Sequence, residues 1–213
     1  MMFRDRSEAG RKLAGALKMQ GFGRDCIVAG IPRGGMVIGR EIASALGCRL
    51  DFVVSRKIGA ASNPELAIGA VAEDGSSYVD TALAMSLGMG SGAIRHAAQA
   101  AHAEAQRRVL IYSVAKARES LEGADVILAD DGIATGYTMI SAARFIRNKS
   151  PRRITAVAPV AAIDSAERVR REVDSLVCLD TLALFAAIGE FYGDFEQVTD
   201  EEVIAILGDS RHG

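Results

Sequence analysis

Along most of the chain, short runs of apolar and β-branched residues alternate with longer stretches of helical spacing. The runs Cys26 to Ile31, Leu50 to Ser55, Leu66 to Ala72, Val126 to Ala129, Ile154 to Val160 and Leu176 to Leu179 predict strands. Several are apolar on successive residues, as strands covered on both faces are. Between them, apolar positions three and four apart predict helices over Ser7 to Met19, Met36 to Leu46, Ala93 to Arg118, Thr138 to Asn148, Asp164 to Val173 and Asp200 to Leu207. Asp5 and Glu8 have capping-box spacing at the start of the first helix, and Gly21 follows its end. The long helix carries Ile94, Ala98, Ala101, Ala105, Val109 and Tyr112 on one face. This alternation predicts an α/β fold, a mostly parallel central sheet flanked by helices. Glu73, Asp74 and Gly75, between two β-prone runs, predict a hairpin and so an antiparallel ribbon beside the parallel sheet.

A length of 213 residues suits one domain with a small appendage. Lys and Arg number 25 against 27 Asp and Glu, a net charge of −2, which gives no broad attraction to nucleic acid or to an anionic membrane. Any anion site must therefore be local. No apolar stretch reaches the length of a membrane span, and the start MMFRDRSEAGRK lacks the apolar segment of a secretory signal. Cys26, Cys48 and Cys178 are scattered without a CxxC, which argues against a disulfide framework or a zinc knuckle and fits a cytoplasmic location.

The chemistry concentrates in VILADDGIATGYTM, Val126 to Met139. An apolar strand ends in two carboxylates, Asp130 and Asp131, passes through small residues and enters a helix. Gly136 lets backbone approach a ligand closely. The hydroxyls of Thr135 and Thr138 can donate, and the open amides of a helix start favour an anion, so Ala134, Thr135, Gly136, Tyr137 and Thr138 read as a phosphate cradle. The carboxylates cannot hold that phosphate; they suit sugar hydroxyls beside it, or a cation that develops during reaction. A phosphorylated sugar satisfies both halves. In GIPRGG, Gly30 to Gly35, Arg33 offers charge-assisted hydrogen bonds, while Gly34 and Gly35 can expose their amides to oxyanions.

The segment ADDGIATGYTM resembles the signature of the type I phosphoribosyltransferases, which bind phosphoribosyl pyrophosphate. GIPRGG resembles that family's pyrophosphate loop, which often holds a cis peptide before its basic residue, here Pro32 to Arg33. SRKIGAASNPELAIGA, with Arg56 and Lys57 at a strand end, is similar to the mobile loop that closes over these active sites, here Arg56 to Pro64. With FRDRSEAG and FYGDFEQVTDEEV, the resemblance extends over nearly the whole chain, to a little-characterised bacterial branch of the family.

The resemblance implies a single domain over residues 1–213, with a small hood from about residues 1–20 and 180–213 covering the acceptor. Any of Phe185, Phe191, Tyr192 and Phe195 could stack there, or could form the hood's own core. It implies transfer of ribose 5-phosphate from phosphoribosyl pyrophosphate to a nitrogenous acceptor, such as a nucleobase, with release of pyrophosphate. Asp130, Asp131, Arg33, Arg56 and Lys57 would be catalytic, magnesium (Mg2+) would arrive on the substrate rather than on direct protein ligands, and a homodimer is expected. Ala134 stands where enzymes for 6-oxopurines usually carry Asp, which disfavours hypoxanthine and guanine. A phosphoribosyl pyrophosphate sensor without transfer, and a phosphoribosyl hydrolase, are the alternatives.

Overall fold

The structure is a computed structural model that describes residues 2–61 and 63–209. In chain order it forms α1 (Arg6–Met19), β1 (Cys26–Gly30), α2 (Gly34–Leu46), β2 (Arg49–Phe52), β3 (Ser55–Ala60), β4 (Asn63–Ala72) and β5 (Ser77–Val79). There follow α3 (Thr81–Ser86), α4 (Ser91–Ser113), β6 (Asp125–Ala129), α5 (Tyr137–Arg147), β7 (Arg153–Ala162), α6 (Ile163–Arg170), β8 (Ser175–Leu182), a 3-10 turn (Ile188–Phe191) and α7 (Asp200–Asp209).

Five strands pair in parallel in the order β2-β1-β6-β7-β8. Successive side chains of a strand feed opposite faces. Val28 and Ile127 enter a core with α1 and α2, whereas Ile27, Val126 and Leu128 enter one with α5 and α6. That two-sided burial explains the unbroken apolar runs. From β1 the chain runs through α2 to one side of the sheet, and from β6 through α5 to the other. The strand order therefore reverses between β1 and β6, and the crevice at their carboxyl ends is where open α/β sheets bind ligands. The loops of residues 31–33 and 130–136 meet there, joined by the Ile31 amide donating to the Ala129 carbonyl at 2.8 Å.

A second, antiparallel sheet has the order β3-β4-β5. The expected hairpin at Glu73 to Gly75 is its β4–β5 turn: Gly75 has φ +92°, and the Ser76 amide donates to Asp74 Oδ1 at 2.8 Å. Two expectations are corrected. The run Leu50 to Ser55 is not one strand, because β2 stops at Phe52 and Ser55 opens β3 in the other sheet. The long helix ends at Ser113, not Arg118. Arg118 accounts for both, because its guanidinium bonds the Phe52 carbonyl at 2.7 Å, Asp51 at 3.1 Å and Glu73 at 2.8 Å. Glu73 in turn takes the Val54 amide at 2.9 Å, turning the chain out of the parallel sheet. The backbone here bonds outside any helix as well, because the Glu119 amide donates to Asp51 Oδ2 at 2.9 Å.

The chain ends come together. The Phe3 amide donates to the Phe191 carbonyl at 2.8 Å, and Gly193 and Asp194 donate back to Phe3 and Arg4 at 2.7 and 2.8 Å. Asp5 caps α1 through the Glu8 amide at 2.7 Å, while the Glu8 carboxylate takes the amide of Arg4. Among the described residues, no helix is long and apolar enough to cross a membrane.

Candidate active site

Three segments converge on the crevice. The first is the turn into α2, where the Pro32–Arg33 peptide is cis. A Cβ on Gly34 would overlap the carboxylate of Asp131, and one on Gly35 would lie 2.5 Å from the Ala129 carbonyl. Both glycines are therefore needed for this turn to lie against the end of β6. Gly34 lines the cavity, and Gly35 packs against the strand end. Arg33 reaches into the crevice with Nη1 3.9 Å from Asp200 Oδ1.

The second segment is the acidic pair. Asp130 is anchored by its amide donating to Val157 at 3.1 Å, and its Oδ1 accepts the Asp131 amide at 2.9 Å. Burial, and then the neighbouring charge of Asp131, push the Asp130 carboxyl well above the usual carboxylate range. Asp131 is held differently. Its Oδ2 accepts from Arg6 Nε at 2.8 Å, with both side chains almost buried, and its carbonyl accepts the Tyr192 hydroxyl at 2.7 Å.

The third is the cradle. Ile133 bridges to Ala161 at the end of β7, and Gly136 takes φ +79°, the left-handed turn that glycine allows without strain. Among the described residues the amides of Ala134, Thr135 and Gly136 find no acceptor. They open on a cavity of about 520 Å³ lined also by Thr138, Asp130, Asp131, Arg56 and Lys57. Tyr137 contributes to this loop through its backbone. Its side chain is 4 % exposed and turned away from the cavity, stacked 5.3 Å from Tyr78 with its hydroxyl donating to Asp80 at 3.0 Å. Only its backbone belongs to the cradle, and there the amide donates to Thr135 Oγ1 at 3.5 Å. Ring stacking beside the small sheet outweighs exposure here.

Arg56 and Lys57 sit inside β3, not in an irregular loop. The expected mobile segment is largely a β3–β4 hairpin with a register shift at Gly59, where the Pro64 carbonyl packs too closely for a Cβ. Ser62, in its middle, lies outside the described residues. Neither Arg56 nor Lys57 makes a hydrogen bond or ion pair within the described residues, although both line the cavity. Burial, and then the nearby Arg108, disfavour the charge on Arg56, while Glu104 offsets part of that cost from beyond ion-pair distance.

A second cavity, about 690 Å³, adjoins the first and shares Arg33, Gly34, Arg56, Lys57, Asp131 and Ala134 with it. Ile188 and Gln197 also line both, while Val198 and Phe195, a residue 36 % exposed, line the second alone. Of the clustered aromatics, Phe185 and Phe191 pack on each other at 5.0 Å and Tyr192 is buried beside Phe3. Phe195 lines the second cavity, with the Arg6 guanidinium 3.8 Å above its ring.

Sequence reasoning missed Arg6, Arg108 and Asp200. Arg6 lies 125 residues from its partner Asp131. Asp200 accepts the Tyr112 hydroxyl at 2.5 Å and stands 3.8 Å from Arg108, so α4 and α7 meet Arg33 at one carboxylate. The one signal in the sequence was the charge density of FRDRSE, which also fits a solvated helix start.

Residues 5–192 match the family model described as a phosphoribosyl transferase domain. The protein named "Putative phosphoribosyl transferase Rv0571c" from Mycobacterium tuberculosis strain H37Rv is 36 % identical over 206 residues, which cover 97 % of this chain and 46 % of that one. Its counterpart in strain CDC 1551 matches to the same extent. The chain thus spans about half the length of these curated relatives. The crystal structure of TT1426 from Thermus thermophilus superposes with a TM-score of 0.81 at 38 % identity, covering 98 % of this chain and 99 % of that one. With its acidic pair, open-amide cradle and parallel sheet in place, the chain belongs to the phosphoribosyl transferase family.

Proposed function

We propose that the chain transfers ribose 5-phosphate from phosphoribosyl pyrophosphate to a nitrogenous acceptor and releases pyrophosphate. The observation that carries this reading is the convergence, around one cavity of about 520 Å³, of two carboxylates with three amides and two cations that have no hydrogen-bond or ion-pair partner among the described residues. Each set matches one part of the donor. The amides of Ala134, Thr135 and Gly136 and the Thr138 hydroxyl take the 5-phosphate at the start of α5. Asp130 and Asp131 accept the ribose hydroxyls and face the positive charge that grows at C1 as the bond to pyrophosphate breaks. Arg6 engages Asp131 Oδ2, leaving Oδ1 for a hydroxyl. Arg33, Arg56 and Lys57 hold the departing pyrophosphate, whose oxygens bring Mg2+ with them as part of the substrate.

The acceptor enters from the adjoining cavity, where Phe195 offers a ring to stack on and the paired chain ends act as the cover. Ala134 removes the carboxylate that would favour a 6-oxopurine.

The test is pyrophosphate release from the donor and Mg2+ against a panel of nitrogenous bases. Release that requires a base supports transfer. Release at the same rate without one identifies a hydrolase, and tight donor binding without turnover identifies a sensor.

A further inference from the structure

A peptide group points its carbonyl and the following amide in opposite directions. Holding the carbonyls of Ala134 and Thr135 on one side of the cradle loop therefore fixes the amides of Thr135 and Gly136 on the other. The structure shows what holds them. Ser165 Oγ donates to the Ala134 carbonyl at 2.5 Å, and Arg168 Nη2 donates to the Thr135 carbonyl at 3.3 Å and to Ser165 Oγ at 2.9 Å. Both come from α6, and neither lines the cavity.

We propose that Ser165 and Arg168 are positioning residues for the donor's 5-phosphate, turning the Thr135 and Gly136 amides into the cradle from behind. This deepens the donor-binding reading above and rests on it. Two further observations support it. Arg168 Nε is buried with no acceptor among the described residues, a cost that an aliphatic residue would avoid. Its guanidinium places a positive charge behind the loop whose front is open to an anion. Attachment of α6 also has other sources: Ala166 and Val169 are fully buried in the core, and Val169 packs at the Gly136 turn. Removing one hydroxyl should leave that packing intact.

Calorimetry with ribose 5-phosphate and, separately, with pyrophosphate distinguishes this role from a structural one. Ser165→Ala and Arg168→Met should each weaken ribose 5-phosphate binding about 10-fold, because a charge-assisted contact in the cradle loses its alignment. Pyrophosphate, held at the Arg33 turn, should bind within about twofold of the wild type, within ordinary additivity error for separate sites. Arg168→Lys keeps a donor and a charge and should retain most of the affinity. Since Arg168 serves both Ser165 and Thr135, the double variant should lose less than the product of the single losses. Unchanged ribose 5-phosphate affinity in folded Ser165→Ala and Arg168→Met would overturn the assignment. So would an equal loss for both ligands, with a lowered melting temperature. Wild-type protein that binds neither ribose 5-phosphate nor phosphoribosyl pyrophosphate would instead overturn the donor-binding reading itself.

Discussion

The loop after β6 and the paired chain ends meet at Asp131, yet they are built in opposite ways. The loop is one continuous segment, Asp130 to Thr138. Its backbone is fixed from outside by β7 and α6: Asp130 to Val157, Ile133 to Val160, Ala134 to Ser165. Its inner surface is left unsatisfied for a ligand. The cover brings together residues as far apart as Arg6 and Glu196, 190 positions, and it satisfies itself. Arg6 commits Nε to Asp131, Nη1 to the Glu196 carbonyl at 2.8 Å and its face to Phe195. One region holds donors and acceptors in reserve, and the other has used them. Preorganised, unpaired groups mark where charge is to be received, whereas saturated ones mark where the structure is fastened.

The largest expected effect tests the first half of that contrast. Asp131→Asn keeps the side chain's shape and one acceptor oxygen for Arg6, but exchanges the other oxygen for an NH2 group and removes the charge that the proposed reaction sets against C1, so kcat should fall roughly 10² to 10³ fold with a smaller change in donor affinity. Pyrophosphate release and donor calorimetry on the same variant measure the two. Equal losses would make Asp131 a ribose ligand only.

The fastening is tested by Arg6→Ala. The pair is nearly buried, at 11 % and 13 % side-chain exposure, so removing the cation leaves a carboxylate with reduced access to water. Urea unfolding should show a loss of about 2–4 kcal/mol. A loss below about 0.5 kcal/mol, the value of a surface pair, would mean that the cover is held elsewhere. Smaller again is Thr138→Ala on the receiving side, which should weaken donor binding by about 1.5–3 kcal/mol with little change in stability. Calorimetry showing unchanged affinity in the folded variant would take Thr138 out of the cradle.

The contrast also explains what could be read in advance. The cradle, the acidic pair and the Arg33 turn were legible because each is a contiguous run at a strand end, where small residues, hydroxyls and carboxylates have few other reasons to follow one another. The parallel sheet was legible because two-sided burial leaves unbroken apolar runs. Arg6 and Asp200 were not, since their roles exist only once the chain ends fold onto β6 and α2, and an isolated charge near a terminus carries no period. Tyr137 was legible only in part. Its place inside the motif did not say where its side chain goes, because Tyr78 and Asp80, which capture its ring and hydroxyl, lie 59 and 57 residues upstream. The Arg56 to Pro64 segment looked like an irregular loop because Gly59, Ser62, Asn63 and Pro64 interrupt it, while the strand pairing that orders it comes from β4.

The finest test is Asp130→Asn, where the receiving region should reveal the cost of being held ready. Burial and the adjacent Asp131 raise the Asp130 carboxyl above its ordinary value of 3.8. A carboxyl with a raised native pKa binds its proton more tightly in the folded chain than in the unfolded one. Its contribution to stability therefore declines as pH climbs from the unfolded value toward the native one, and the full cost is present above the native pKa. Asn keeps the Oδ1 acceptor for the Asp131 amide and removes the charge. At neutral pH the melting temperature of Asp130→Asn should rise by about 2–4 °C over the wild type. The gain should shrink as the pH is lowered toward 4, where the wild-type carboxyl is protonated and the two proteins become alike. Arg6→Ala should do the reverse at neutral pH, because it removes the hydrogen-bonded partner of a nearly buried carboxylate rather than a buried charge that burial and Asp131 disfavour. If Asp130→Asn instead lowers the melting temperature at neutral pH, the Asp130 charge is fastening the loop, and the two regions differ in sequence continuity alone.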